Sequence, residues 1–524
     1  MTHLRLLLTV LIALHALFAN AQSIPQVSIA AVLIDSTDYS NVEVHYNLQS
    51  DFTDSVAIYV LHSNDGGASF TTVTNLTGDY GKPVADGTRM LTYQSSTAAT
   101  QLEDIRVKIS AVSSFSPSIA DMVAEVESAN LYQMIAELEG DRNYVSNPNR
   151  MDSIKDYLEI EMSTFVDVER LQFDFGALAA ENFVSSKCGL IDPMSVAVNG
   201  AHFDGVSGAP GADDNASGTA AVIEVARILS QYQFENSLRF LLFDLEELGL
   251  RGSIDYVNND LSPDESLLGV IVNEMLAYSD SSANSQQFPT GFNLLFPDAY
   301  NEVAADSFRG NFITNVGNTA SAGLMASYKS AAQQYVPILR VVNVETPGNS
   351  QAVQDLRRSD HAPFWDAGYQ ALMITDGANF RNPNYHEASD SLSTLDLNFM
   401  TAVVKANVAT LASLAVPIIA GTDESVYTAV VGIESIESLP NQCITVKTMD
   451  SGRGQSSKFR IESCEAITNF DIQVMDISGR KIPFDLPNKI DDFQLNLEFQ
   501  SKTNVVFVIC GAINGQKFTK RVVR

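Results

Sequence analysis

Positive charge is scarce in this chain. Its 524 residues carry 32 Lys and Arg against 63 Asp and Glu, a net charge of -31. Nucleic-acid binding needs cations to displace counterions from phosphates, so no nucleic-acid partner is expected. The same charge repels an anionic membrane surface. Cysteine is also sparse: Cys188, Cys443, Cys464 and Cys510 are all there are. No two stand in a C-x-x-C spacing, which excludes the usual cysteine-built zinc site. Three of the four lie in the last fifth of the chain, where an exported protein can form a disulfide, though the pairing cannot be read from sequence. Beyond the N-terminus no apolar run reaches about 18 residues without a charge, so no transmembrane helix and no stable membrane insertion is expected. There is no fixed-period repeat and no low-complexity segment.

What is present begins with an export signal. Arg5 is followed by an apolar stretch from Leu6 to Phe18 and by Ala19-Asn20-Ala21, a small-x-small cleavage pattern. Residues 1–21 are read as a signal peptide and Gln22 as the mature start. Hydrophobic residues make up 45% of the chain, enough for large cores, and the length suggests roughly three to four domains at about 150 residues each.

Residues 22–115 read as all-β. Val42 to Leu48 alternates apolar and polar side chains, Val56 to Leu61 is a more continuous apolar run, and Asn64-Asp65-Gly66-Gly67 is a turn signal. Short strands follow near Met90 and Ile105. The spacing predicts a small sandwich resembling fibronectin type III or immunoglobulin-like modules, a spacer or a binding module. Residues 116–420 change character. Helical spacing covers Ile119 to Leu138 and Met151 to Phe165. Strands at Met194–Val198, Leu238–Phe243, Leu267–Val272 and Ala371–Thr375 then alternate with helices at Ala216–Tyr232 and Leu397–Leu414. This alternation predicts an α/β domain on a mostly parallel central sheet sandwiched by helices, with ligands at the carboxyl ends of the strands. Residues 421–524 return to β character.

Polar residues gather where those strands end. His202 closes Val196-Ala-Val-Asn-Gly-Ala, and Asp204 shares its side of an extended segment. An imidazole is a good zinc donor, and a nearby carboxylate can hold its second ring nitrogen. Asp213 and Asp214 open a helix. Capping favours one acid there, and a second beside Asn215 and Gly218 suggests a metal bridge with a supporting neighbour. Glu246 and Glu247 follow the strand ending at Phe243: one can bind metal while the other serves as general base. Glu274 ends another strand and is a further ligand candidate. His386 stands in Asn384-Tyr-His-Glu-Ala-Ser-Asp. Ser359-Asp360-His361-Ala-Pro-Phe reads as support near the site rather than a ligand set.

Together, Ala-His-Phe-Asp, Gly-Ala-Asp-Asp-Asn-Ala-Ser-Gly, Glu-Glu-Leu-Gly-Leu-Arg-Gly-Ser, Asn-Glu-Met, Ser-Asp-His-Ala-Pro-Phe and Tyr-His resemble the di-zinc exopeptidases of the bacterial leucyl aminopeptidase type, over roughly residues 120–415. That family also contains carboxypeptidases and glutaminyl cyclases. The resemblance implies two zinc ions: His202 and Glu274 on one, Glu247 and His386 on the other, and Asp214 bridging. It implies Glu246 as the general base and acid and Asp204 as the group orienting His202. Two departures stand out. Gln354-Asp-Leu-Arg-Arg replaces a cysteine pair found in some secreted relatives, and Ser279–Asn349 is an insertion without a readable motif. The C-terminal residues Val474-Met-Asp-Ile-Ser-Gly-Arg-Lys, Val505-Val-Phe-Val and Lys517-Phe-Thr-Lys-Arg-Val-Val-Arg resemble a type IX secretion sorting domain. The resemblance implies a secreted or cell-surface protein of a Gram-negative bacterium, exported across the outer membrane with the help of that machinery. The expected activity is removal of N-terminal residues from peptides or proteins. A carboxypeptidase or glutaminyl cyclase on the same fold, and an inert adhesion protein, are the alternatives.

Overall fold

The structure, a computed structural model, describes residues 24–35, 40–50, 55–95, 104–351 and 353–426, and beyond these only strand backbone between 429 and 523. The expected signal peptide of residues 1–21, Cys443 and Cys464 lie outside the described residues, as does the side chain of Cys510. Cys188 is an exposed free thiol. The chain forms two compact units: residues up to Phe115 together with those from Ile419 on, and Ser116–Ile418.

The first unit begins with β1 (Gln26–Asp35), β2 (Asn41–Gln49), β3 (Ala57–Ser63), β4 (Thr71–Thr72), β5 (Leu76–Gly78), β6 (Gly87–Gln94) and β7 (Arg106–Val112). Side-chain alternation decides the faces. Along β2, Val42, Val44, Tyr46 and Leu48 are buried and the residues between them point outward. Val32, Val44 and Leu91 from one sheet share a core with Val60 and Ile109 from the other, so the two sheets form a sandwich.

The second unit carries α1 (Ile119–Ala124), α2 (Ser128–Leu138), α3 (Pro148–Met162), β8 (Val168–Phe175), β9 (Leu178–Lys187), β10 (Asp192–His202), α4 (Gly218–Leu229), β11 (Gln233–Phe234), β12 (Asn236–Phe243), α5 (Arg251–Asp255), β13 (Ser266–Glu274), α6 (Phe292–Leu295), α7 (Pro297–Ala304), β14 (Ile313–Asn318), α8 (Ala322–Tyr335), β15 (Val341–Thr346), α9 (His361–Asp366), β16 (Ala371–Thr375), α10 (Leu397–Ala415) and β17 (Pro417–Ile418). Its eight-stranded sheet has the order β15-β14-β16-β13-β10-β12-β9-β8. Alternate residues of the inner strands feed separate cores. Leu238, Phe240 and Leu242 join the cluster with α2, α4 and α10, while Leu241 and Phe243 join the cluster with Phe364 and Trp365. A sheet covered on both faces explains the near-continuous apolar runs in the sequence.

Three features differ from expectation. The sheet is mixed rather than mostly parallel. The run β12-β10-β13-β16 and the pair β14-β15 are parallel, but β9 meets β12, β8 meets β9 and β14 meets β16 antiparallel. The β8–β9 hairpin was not legible because β9 interrupts its apolar residues with Glu181, Asn182, Ser185 and Ser186, which leaves no period-2 pattern. The helix expected from Ile119 to Leu138 is broken between α1 and α2. Glu127 adopts an extended backbone and donates its N–H to the buried carboxylate of Glu224, a tie that competes with helix continuation. Third, the stretch expected to open a separate C-terminal domain at residue 421 returns to the first unit. There β18 (Ala420–Val426) pairs antiparallel with β7, and β19 (Ala429–Val431) pairs parallel with β1. Further strands between Ile444 and Val523 form one four-stranded and one three-stranded antiparallel sheet.

Among the described residues, α10 is long and apolar enough to cross a membrane. Eleven of its residues are buried, and Asp396 caps it by accepting the N–H groups of Asn398 and Phe399 at 3.1 Å. Its all-round apolarity follows from packing inside the unit.

The β18–β7 pairing generates a prediction. A chain ending at Ile418 exposes the edge of β7, whereas one ending at Val431 keeps it covered. Limited proteolysis should nick the shorter chain within residues 24–112 much faster than the longer one. Equal protection of the two would show that β18 is dispensable to the sandwich.

Candidate metal centre

The carboxyl edge of the parallel run β12-β10-β13-β16 gathers the polar residues singled out in the sequence, as expected for this kind of sheet. His202 is the last residue of β10. The Gly200–Val272 register sets it level with Glu274, the last residue of β13. Asp214 lies in the segment 212–217 that leads into α4. Glu246 and Glu247 follow β12, and His386 comes from the loop after β16.

His202 Nε2 lies 3.5 Å from Asp214 Oδ1 and 3.4 Å from Glu274 Oε2. His386 Nε2 lies 3.1 Å from Asp214 Oδ2 and 3.4 Å from Glu247 Oε2. Each oxygen of Asp214 therefore faces a different imidazole. Glu246 groups with His202 and Glu274, and Asp214 groups with Glu247 and His386; within each group the donor atoms lie within 4.8 Å of one another. A tetrahedral ion with bonds of about 2.0–2.1 Å separates its ligands by roughly 3.3 Å. The observed gaps match that spacing, and the nitrogen and oxygen donors suit zinc. Glu247 Oε1 is buried with no hydrogen-bond donor among the described residues, a costly state for an acid that no cation neutralises. The residues present fit a pair of divalent cations.

Side-chain acceptors from one loop hold the backbone of another. Asp204 accepts the N–H groups of Glu246 and Glu247 at 3.0 and 3.2 Å. Its carboxylate also lies 3.4 Å from His202 Nδ1, and its own carbonyl oxygen 3.3 Å from that nitrogen. Asp204 thus lies against the His202 ring, and its shortest bonds fix the Glu246-Glu247 turn. Asp390 accepts the N–H groups of Asp213 and Asp214 at 3.0 and 3.1 Å. Asn215, Ser217 and Asp213 accept, in turn, the N–H groups of Met275, Leu276 and Ala277, the three residues after Glu274. Asp213 also accepts from Asn382 at 2.7 Å, which ties the helix start to the loop bearing His386. The fully buried guanidinium of Arg142 donates to the carbonyl oxygens of Phe203, Leu138, Pro210 and Gly211 and so joins the His202 and Asp214 segments.

Backbone geometry at the site is unusual. Leu245, Met275 and His386 have φ of 54°, 52° and 60°, left-handed values that cost a non-glycine residue on the order of 1 kcal/mol each. Each is a ligand candidate or lies within two residues of one. Gly218 and Gly252 answer to close approach instead. A Cβ on Gly218 would lie 2.3 Å from Asn215 Oδ1, and one on Gly252 would lie 2.4 Å from Asp244 O.

Electrostatics follows from the crowding of acids. Burial, and then the charges of Glu274, Asp360 and Glu247, push Glu246 well above the usual carboxylate range, against the pull of His202. Burial and Asp214 raise Glu247 to about 7. Burial opposes a proton on His386, but Asp214 and Glu247 outweigh it and raise His386 to about 10. Burial and then the charge of Asp213 push Asp376 well above the usual carboxylate range.

Of the supporting motif, Ser359 Oγ donates to Glu274 Oε2 at 2.7 Å and Asp360 accepts from Ser253 at 2.5 Å. His361 turns away: its Nε2–H donates to Leu356 O at 2.9 Å, and its ring lies edge-on to Trp365. Arg142, Asp376, Asn382 and Asp390 were not assigned from sequence. Only Asp390 lay inside a quoted motif, and nothing in residue type separates an acid that accepts amides from one that binds metal. A cavity of about 750 Å³, open to solvent, lies beside the cluster. Glu274 lines it together with Phe288, Phe292, Val316, Met373 and Tyr385. Phe288, Phe292 and Val316 come from the insertion that carried no motif.

With the geometry in place, comparison with known proteins is informative. Residues 191–411, fewer than half of the chain, match the family described as Peptidase family M28. Over 216 residues the chain is 32% identical to the uncharacterized protein YfbL of Escherichia coli (strain K12), covering 39% of this chain and 62% of that one. It is 30% identical over 201 residues to aminopeptidase YwaD of Bacillus subtilis (strain 168), covering 37% and 35%. It is 27% identical over 280 residues to a probable zinc metalloprotease of Pyrenophora teres f. teres, covering 49% and 56%. The chain thus spans only part of each of these relatives.

His361 carries a pH prediction. Burial, and the nearby charge of Arg357, hold its imidazole down at about 4, against the pull of its bond to Leu356. In the unfolded chain it takes a proton near pH 6.5. Between these values the unfolded state binds more protons, so stability falls as pH falls from 6.5 to 4, by about 3 kcal/mol in all. The stability gap between wild type and His361→Gln, measured by urea unfolding, should be widest at pH 7 and shrink by about this amount at pH 4. A gap that stays constant with pH would contradict the buried neutral imidazole.

Proposed function

We propose that this chain is a zinc-dependent exopeptidase that hydrolyses the N-terminal residue from peptides. The observation that carries the reading is Asp214, whose two oxygens each face the imidazole of a separate histidine–carboxylate group, at 3.5 and 3.1 Å. The family match over residues 191–411 and the relatives named as an aminopeptidase and a zinc metalloprotease support it. In this reading His202 and Glu274 would hold one ion, Glu247 and His386 would hold the other, and Asp214 would serve both. The ions, when bound, supply Lewis acidity for the scissile carbonyl and lower the pKa of a water.

The rest of the chemistry belongs to the chain. Glu246 brings a carboxylate oxygen within 4.8 Å of the donor atoms of His202 and Glu274. It takes a proton from the attacking water and returns it to the departing amine. Burial pushes its pKa up from the ordinary carboxylate range, the direction a proton acceptor for water needs. Asp204 fixes Glu246 through its backbone N–H, so the base sits at a set distance from the reacting carbon. The carboxylates around the centre give a substrate's free α-amino group an anionic partner. The largely apolar cavity receives the side chain of the residue to be removed. The proposal includes export, which rests on the N-terminal leader pattern and on the C-terminal residues that resemble a sorting domain, with the secretion machinery as a partner.

Three expected outcomes test the reading. Glu246→Ala should lower kcat for an aminoacyl-nitroanilide by at least about 100-fold, the scale of general base catalysis, while zinc content by elemental analysis stays at the wild-type level. Near-normal turnover in that variant rules out Glu246 as the base. Prolonged dialysis against a chelator should abolish turnover and added zinc should restore it; activity that survives complete metal removal contradicts the mechanism. An unblocked peptide and its C-amidated form should be cleaved and the N-acetylated form spared. The reverse pattern would assign a carboxypeptidase.

A further inference from the structure

The two imidazoles of the centre are held by different means. His202 is buried, with 1% of its side chain exposed, and Asp204 lies against its Nδ1. His386 is 35% exposed, sits on a left-handed backbone, and has no hydrogen-bond acceptor on Nδ1 among the described residues. A metal-binding histidine almost always has its second ring nitrogen fixed by a carboxylate, a carbonyl or water; with no described protein group in that role, the protein orients this ring by packing. What lies against it is Tyr385: the two rings stack with centroids 3.7 Å apart and planes 21° from parallel.

Tyr385 is itself clasped. Arg358 Nη2 donates to its hydroxyl oxygen at 2.7 Å, and the guanidinium lies 5.5 Å from the ring centroid. The same guanidinium donates through Nη1 to Asn379 Oδ1 at 3.0 Å and pairs with Asp355 at 3.5 Å. Arg358 therefore joins two separate pieces of chain: the turn before α9, with Asp355, and the loop after β16, with Asn379, Tyr385 and His386. A planar fork with several donors can make these contacts at once; a lysine ammonium, a point charge on a flexible stem, does not reproduce them.

We infer that Arg358 is a positioning residue for the second half of the centre: through Tyr385 it holds the ring of His386 in line with Asp214 and Glu247. This rests on the two-ion reading above. Arg358 touches none of the ligand candidates, so its effect is confined to one of the two ion sites. The His202–Glu274 half, fixed by Asp204 and Ser359, does not depend on it.

The test is zinc titrated into chelator-stripped full-length protein, with binding followed by calorimetry. Wild type should show two binding events. Arg358→Ala should weaken one of them by about 10- to 100-fold, the range for groups that orient a metal ligand, and leave the other unchanged. Arg358→Lys should recover only part of the loss. Tyr385→Phe, which keeps the stacked ring but removes the hydroxyl, should show part of the same weakening, and its loss combined with that of Arg358→Ala should be less than additive. The melting temperature of the metal-free protein should move little, because Arg358 is exposed and its contacts are screened by solvent. Unchanged affinities in Arg358→Ala, equal weakening of both events, or additive losses in the double variant would overturn the inference while leaving the two-ion reading intact. Fewer than two events in wild type would instead overturn the two-ion reading, and this inference with it.

Discussion

Everything at the centre depends on side chains whose acceptor atoms take backbone N–H groups from a different loop. Asp204 does this for the turn bearing Glu246 and Glu247, and Asp390 for the segment bearing Asp214. Asp213, Asn215 and Ser217 do it for the chain after Glu274. Such bonds favour the ionised form of an acid and offset the cost of burying it. They also fix main chain rather than side chain, so a ligand inherits its position from a rigid turn. Without them, several carboxylates within a few ångströms would repel one another into solvent.

Buried cations complete that balance in an indirect way. Arg142 donates mainly to carbonyl oxygens, and Asp214, Asp390 and Asp204 are close enough to favour its charge. Its charge acts on the acids from a distance while its hydrogen bonds hold the loops. Arg381 repeats the pattern beneath the other edge, donating to Phe312 O and Gln286 and lying near Asp376 and Asp213. A cation that paired directly with Asp214 or Glu247 would compete with a metal for the same oxygens. Cations bonded to backbone do not.

Much of the centre was legible because its residues stand where apolar strand runs stop. His202, Glu274 and the Glu246-Glu247 pair are each polar breaks at the end of β-type sequence, and the parallel register turns chain position into spatial proximity. What was not legible has physical causes. Asp390 and Asp213 differ from ligands only in what lies opposite them, and that is set by segments some 170 residues away. Arg142 lies in a stretch with no apolar period to place it. β8 and β15 are the two edges of the sheet, and β14 mixes Thr314, Asn315 and Asn318 with its apolar residues, so none of them reads as a clean apolar run. The return of β18 was hidden because the β character of the stretch from residue 421 does not say which strand it joins, and its partner β7 lies some 300 residues earlier.

That return has a consequence for the order in which the molecule assembles. The first sandwich is discontinuous: β7 ends at Val112, and the strand that covers its edge begins at Ala420. At a synthesis rate of 5–20 residues per second, roughly 15 to 60 s separate the emergence of the two. Throughout that interval β7 offers an unpaired hydrogen-bonding edge to any passing extended chain. The intervening unit of Ser116–Ile418 is complete before β18 appears. The N-terminal strands, first made, thus close only after the unit of Ser116–Ile418 has been made, and a ribosome stalled anywhere before residue 420 leaves them open.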